Sequence, residues 1–310
     1  MKPQLALSAV AVPPRPFWHL PARACLALAM VTVGSTVVAG RVISASLPPF
    51  TATALRFALA LPIFLLLMRL RGERLPRPDR RDAVLLALQA LAGSVGYAVL
   101  LLAGMQRASA ADAGIVAGSL PAVAAGVAVL VLRERPGRAL LAAVGLASAG
   151  VVVLHLGPAS GTHSLAGNAL VFAAVVCEAL FILLNKQLRA PVPPLALSTI
   201  MCGFGLAFTV LPALAEAAWQ QPLDPRALAG VAWVALVPTV LGYVLWYAGA
   251  ERVSAAEASL YTGLLPVSAL ALAALVLGEA ISARQLAGAA CVLAAIAVSA
   301  AMRRPARRRP

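Results

Sequence analysis

The chain holds 11 acidic residues among 310, and three of them interrupt runs apolar enough to lie in lipid. Glu178 sits in FAAVVCEALFILLN with no capping residue before it. A carboxylate at mid-bilayer costs at least about 2.5 kcal/mol, so such residues usually face a cavity and act. The chemistry open to Glu178 is proton coupling; the bland reading is a neutral acid hydrogen-bonded to a neighbouring helix. Helical spacing puts Ile182 and Asn185 on the same face, which makes Asn185 a candidate substrate contact. Asp112 and Glu257 are different. Each stands three residues after a serine, in Ser109-Ala-Ala-Asp112 and Ser254-Ala-Ala-Glu257. That is the capping-box pattern, and an acid in the first turn also suits the helix dipole. All four residues are therefore expected to be helix caps, with a direct substrate or ion role as the rival for the acids.

Arg56 lies within another apolar run, where it could meet a substrate carboxylate or, the preferred reading, serve a structural or gating role. Tyr97, Tyr243, Tyr247 and Tyr261 offer an apolar body with one donor-acceptor group, suited to a small zwitterion. The alternative for them is the aromatic belt of a membrane interface. Pro121 and Pro266 interrupt two apolar runs, close after Gly118 and Gly263. Proline removes a helical hydrogen bond and small residues allow close helix approach, so these four are candidate hinges or gates. Glu134 and Glu279 end the same runs and are expected to accept donors from the next helix or from an arginine. Four cysteines with no CxxC spacing and three separate histidines give no metal-ligand pattern, so neither metal nor cofactor is expected.

The elements that must hold these groups are membrane helices. Hydrophobic residues make up 62% of the chain and charged ones 12%, about half the charged share usual in soluble domains. Apolar runs long enough to cross about 30 Å of hydrocarbon recur throughout. Ten spans are expected at 22–40, 50–68, 83–103, 109–132, 139–156, 167–185, 195–215, 228–248, 254–277 and 285–302. Starting inside, 20 of the 25 lysines and arginines fall on one side and four on the other. The positive-inside rule then puts both termini in the cytoplasm. The net charge of +14 accordingly reads as topology and lipid contact rather than nucleic-acid binding. Nothing in the sequence specifies an oligomeric state.

The run from Arg107 to Leu154 repeats at 252–299 without a gap, with 18 identical positions of 48. The same offset of 145 aligns Pro48 and Pro49 with Pro193 and Pro194, and Asp79 with Asp224. A fixed register that includes loops signals internal duplication. Five spans per copy is an odd number, so the second copy enters the membrane inverted, an arrangement typical of secondary transporters. The organisation expected is a leader (1–21), a first repeat (22–156), a second, inverted repeat (167–302) and a basic cytoplasmic tail (303–310). Glu178 breaks the symmetry, because its partner position holds Val33.

The chain resembles the drug/metabolite transporter superfamily, specifically its ten-helix EamA type. The likeness rests on LPPFTATALRFALA, SLPAVAAGVAVLVLRE and LGYVLWYAGAERVSAAEASLYTGLLPVSALALAALVLGE. It implies an all-α carrier or exporter of small metabolites such as amino acids, in a bacterial inner membrane. It also implies a cavity walled mainly by spans 3, 4, 8 and 9, with parts of 1 and 6. A polyspecific efflux carrier for drugs or cations is the runner-up; 5% aromatics argues mildly against it. No Walker motif points to ATP. No Ser/His set or aspartate pair supports an intramembrane enzyme.

Overall fold

A computed structural model describes residues 20–120, 123–124, 126–127, 145–146, 149–150, 153, 164–185, 187–189, 192–220, 222–250, 252–253, 261 and 263–302. Pro121, Glu134, Ser254, Glu257, both termini and most of the fifth expected span lie outside them. All regular structure among the described residues is helical. Six helices are long and apolar enough to cross a membrane: α1 (Ala22–Ser44), α2 (Pro49–Arg71), α3 (Arg80–Met105), α5 (Leu165–Asn185), α6 (Pro194–Ala215) and α7 (Pro225–Ala250). Three others complete the described bundle: α4 (Ala110–Gly118), α8 (Leu264–Leu277) and α9 (Ala283–Met302).

Local chemistry sets the boundaries. Pro49, Pro194 and Pro225 open their helices, where a missing N–H costs nothing and φ is already helical. Asp79 and Asp224 cap α3 and α7 through their carboxylates, accepting from Asp82 N–H and Arg226 N–H. Burial is negligible at Asp79, and the Asp82 N–H bond, followed by Arg189, holds its carboxyl below the usual range. Past α2, Gly72 turns left-handed at φ 67°, as helix ends commonly do. Ala217, at the equivalent point past α6, has φ 50°, a conformation that costs a residue with a Cβ.

Both α3 and α7 contain a π-helical turn, at Ala90–Gly96 and Ala235–Leu241. The two segments are related by the same 145-residue offset. In α7 the turn includes Pro238, which cannot donate to an α-helical ladder. In α3 it is built from small residues, with Gly93, Ser94 and Gly96 in sequence.

Helices pack by close approach. α2 and α6 run antiparallel; a methyl group on Gly205 would meet the Phe57 ring at 2.6 Å, and Thr199 reaches Met68. α4 and α8 form a second antiparallel pair, with Gly114 over Ala269 and Gly118 against Pro266. α1 lies against α7 and α8, and α5 against α3 and α4. At Gly34 an added methyl would fall 2.1 Å from Ser268 Oγ and 3.1 Å from Ala269 N. Small residues at helix crossings allow such contact in membranes. Leu59, Leu66, Leu70, Leu211 and Leu275 are exposed on the outside of the bundle, a surface suited to lipid rather than water.

Two acids tie helix ends together. Glu216, just past α6, accepts from Phe50 N–H at 3.1 Å, Thr51 N–H at 2.7 Å and the Thr51 hydroxyl at 2.8 Å. It thereby caps the start of α2. Glu279, just past α8, accepts from Ala110 N–H at 3.1 Å and caps the start of α4. One donor to Glu279 thus comes from a helix 169 residues earlier in the chain. A carboxylate at a helix N-terminus satisfies orphan N–H groups and meets the positive dipole end.

Candidate functional site

A small cleft opens between α1, α2, α3 and α7. Arg56, Tyr97, Thr36 and Thr53 supply its polar groups; Leu101, Leu102, Val231 and Val234 are among its apolar walls. The expected cavity gave α2 no wall, whereas here α2 contributes the charged group. Arg56 sits two turns into α2, with its guanidinium carbon 4.5 Å from the centre of the Phe57 ring. That contact supports the planar cation without neutralising it. Its Nε is buried and has no hydrogen-bond partner among the described residues.

Tyr97 immediately follows the π turn of α3. Such π turns often mark functional sites. Glu178 lies on α5, whose face packs against that turn: a methyl group on Gly96 would stand 3.2 Å from Cys177 Sγ. Arg56 is electrostatically coupled to Glu178, Tyr97 and Cys202, and Tyr97 is coupled to Glu178 in turn. The structure therefore sets a cation on α2 and a phenol on α3 at one cleft, with the acid of α5 within electrostatic reach of both. All three keep some accessible surface; Arg56 and Tyr97 line the cleft, and Glu178 is not among its lining residues.

The other expected contacts are elsewhere. Tyr243 and Tyr247 lie together on α7, with hydroxyls 3.3 Å and ring centres 4.7 Å apart, and Phe64 is edge-on to Tyr243 at 6.1 Å. Cys202 is buried in the apolar cluster against which Tyr243 packs. Tyr261 packs with the Met30 and Leu245 cluster. Asn185 is the last residue of α5 and is exposed. Of the candidate gates, Gly118 and Pro266 touch, with a methyl on Gly118 falling 3.0 Å from the proline ring. Gly263 is buried and sits at the N-cap of α8.

Ser109 and Asp112 are positioned as a cap: Ser109 Oγ accepts from Asp112 N–H at 3.0 Å. The buried Asp112 carboxylate accepts from Gln285 Nε2 at 2.8 Å. Gln285 itself closes a capping box on α9, accepting from Ser282 N–H at 2.9 Å while Ser282 Oγ accepts from Gln285 N–H at 3.2 Å. Two helix starts are thereby locked to each other. The Ser282-x-x-Gln285 spacing is legible in sequence; its partnership with Asp112 is not.

A model of the EamA-like transporter family matches residues 21–156 and again residues 165–301. The chain belongs to this family. It is a multi-pass membrane transporter built from two EamA repeats, with Arg56 and Tyr97 in the first and Glu178 in the second. It is 35% identical over 280 residues to the uncharacterized transporter YetK of Bacillus subtilis (strain 168), covering 88% of this chain and 85% of that one. It is 30% identical over 207 residues to a "Probable terminal-alkyne amino-acid exporter" of Streptantibioticus cattleyicolor, covering 66% and 68%. A "Probable amino-acid metabolite efflux pump" of Salmonella typhimurium matches at 29% over 180 residues, covering 54% and 60%. One crystal structure superposes with a TM-score of 0.64 at 22% identity, over 92% of this chain and 99% of that one. This likeness shows a shared fold.

Proposed function

We propose that this EamA-family transporter is a secondary carrier that exports a small polar metabolite of the amino-acid kind by alternating access. The observation that carries the reading is the cleft lined by Arg56 and Tyr97 inside an otherwise apolar bundle, with the acid of the other repeat, Glu178, on the helix packed against the π turn beside Tyr97. Charges are kept at such depth where they face a cavity and act. Glu178 is the proton-coupling group. Arg56 makes a poor host for lipophilic cations, which disfavours polyspecific cation efflux as the alternative. The names of the Streptantibioticus and Salmonella relatives support the direction and the substrate class.

The carrier has ten spans, arranged as two five-helix repeats of opposite topology, in the plasma membrane with both termini cytoplasmic. Several relations support an axis between the halves. The π turns, the aspartate caps and the left-handed residues past α2 and α6 all recur at an offset of 145. Contacts recur as well: α1 against α7 mirrors α5 against α3. The repeats meet at a central site, as alternating access requires.

The test is a panel of labelled amino acids and cationic dyes offered to the purified protein in liposomes, with and without a pH gradient. An amino acid should move, and Glu178→Gln should abolish the pH-driven component while the protein stays folded. Unchanged proton dependence in that variant removes Glu178 from coupling. A panel in which only dyes move overturns the substrate class.

A further inference from the structure

Gln89 stands immediately before the π turn of α3 and is fully buried. Neither its amide oxygen nor its amide nitrogen has a hydrogen-bond partner among the described residues. Its surroundings are apolar. Leu86, one turn earlier on the same face, belongs to a cluster with Leu197 and Met201, against which Phe181 and Leu188 pack. Gly93, one turn later, lies under the Phe181 ring. A buried amide without partners costs stability that an apolar side chain of similar bulk would not. A cluster built only to pack has no use for it.

That cluster is the counterpart of the Arg56 cleft. At the offset of 145, Phe181, Leu188, Leu197 and Met201 answer to Thr36, Ile43, Ala52 and Arg56. Leu86 and Gln89 answer in the same way to Val231 and Val234. All six of the answered residues line the cleft. One set of walls therefore stands open while its counterpart is packed together. The polar group changes walls as well: Arg56 on α2 gives way to Met201 on α6, and Val234 on α7 to Gln89 on α3.

Inverted repeats that exchange conformations open one set of walls as they close the other. We propose that Gln89 is the polar contact of a second solute site, in the cytoplasmic half of the bundle, which this conformation holds shut. This rests on the carrier reading above and adds the place where the solute is met on the cytoplasmic side. In the opposite conformation Phe181, Leu188 and Met201 part, and the Gln89 amide meets the solute. An amide both donates and accepts without a charge of its own, so it suits the head of an amino acid whose two charges already cancel.

Gln89→Leu separates this site from mere packing. With the unpartnered amide gone, the melting midpoint should rise by about 2–12 °C. The solute loses a contact, and the closed arrangement is favoured besides. Uptake of a mixture of the common L-amino acids is then measured in inside-out and right-side-out vesicles. The KM should rise at least about tenfold on the cytoplasmic face and should not rise on the other. Leu86→Cys follows the opening without touching the amide. A water-soluble methanethiosulfonate should react with it at least about tenfold faster during transport of the mixture than at rest, above the reaction of the unsubstituted chain. A KM unchanged, or raised equally on both faces, overturns the second site. So does a melt that falls, which would mean that the amide is partnered in this conformation, and so does Leu86→Cys that stays unreactive during transport. Each of these leaves the carrier reading standing, because the wild-type vesicles still transport. Wild-type vesicles that move none of the mixture overturn the carrier reading itself.

Discussion

Replacing Asp112 separates a structural acid from a transporting one. Its carboxylate is buried and accepts from Gln285 Nε2 at 2.8 Å. A hydrogen bond to a charged group is worth about 1.5–3 kcal/mol. Loss of a first-turn acid beside the helix dipole removes about a further 0.3–1 kcal/mol. Asp112→Ala should therefore destabilise the protein by about 2–4 kcal/mol. At about 2–4 °C per kcal/mol for a chain of 150–250 residues, the melting midpoint in detergent falls by about 4–16 °C. Gln285→Ala should cost about 2–4 kcal/mol as well, because it also opens the box on Ser282. The double variant should fall short of additivity by about 1–2 kcal/mol, since both singles break one bond. The assay is a thermal melt of all four proteins followed by size exclusion, beside transport at a temperature where each is folded. Additive losses refute the coupling of the two caps. Asp112→Asn that melts like the wild type but no longer transports refutes the capping role altogether.

Two further outcomes follow from packing and charge. Gly34→Ala should cost about 1–3 kcal/mol by overpacking, and Ser268→Ala in the same protein should recover part of it. Recovery is incomplete because Ala269 N, a backbone atom, is 3.1 Å from the new methyl; a melt that does not move would discredit the α1–α8 seam. Single cysteines placed at residues 69–81 should react with impermeant reagent only from the cytoplasmic side, and labelling of intact cells from outside would reverse the topology.

Much of the bundle is legible in sequence because apolar length and proline placement are local signals. The spans expected to start at 50 and 195 begin at Pro49 and Pro194, since proline fits a first helical turn whatever surrounds it. The π turns are invisible at that level, because ALAGSVG is equally apolar whether its bonds close over four residues or five. Asn185 shows the opposite limit. Helical spacing sets it on the face of Glu178, but α5 ends there and the side chain is exposed. Arg56 reads as structural while α2 is considered alone; the cleft beside it is made by α1, α3 and α7. Glu216 could have been found by the argument used for Glu279, an acid ending an apolar run against its own dipole.

The π turn in α3 is where the helix carries one residue more than an α-helical course needs. Deleting any one of the seven residues from Ala90 to Gly96 lets the segment close as ordinary α-helix. Six α-helical residues sweep nearly the same angle as seven at the wider π pitch, so Tyr97 keeps its side of the helix. A deletion beyond the turn, between Tyr97 and Met105, meets no spare residue and turns everything after it by about 100°. The same one-residue loss is thus absorbed on one side of Tyr97 and transmitted on the other.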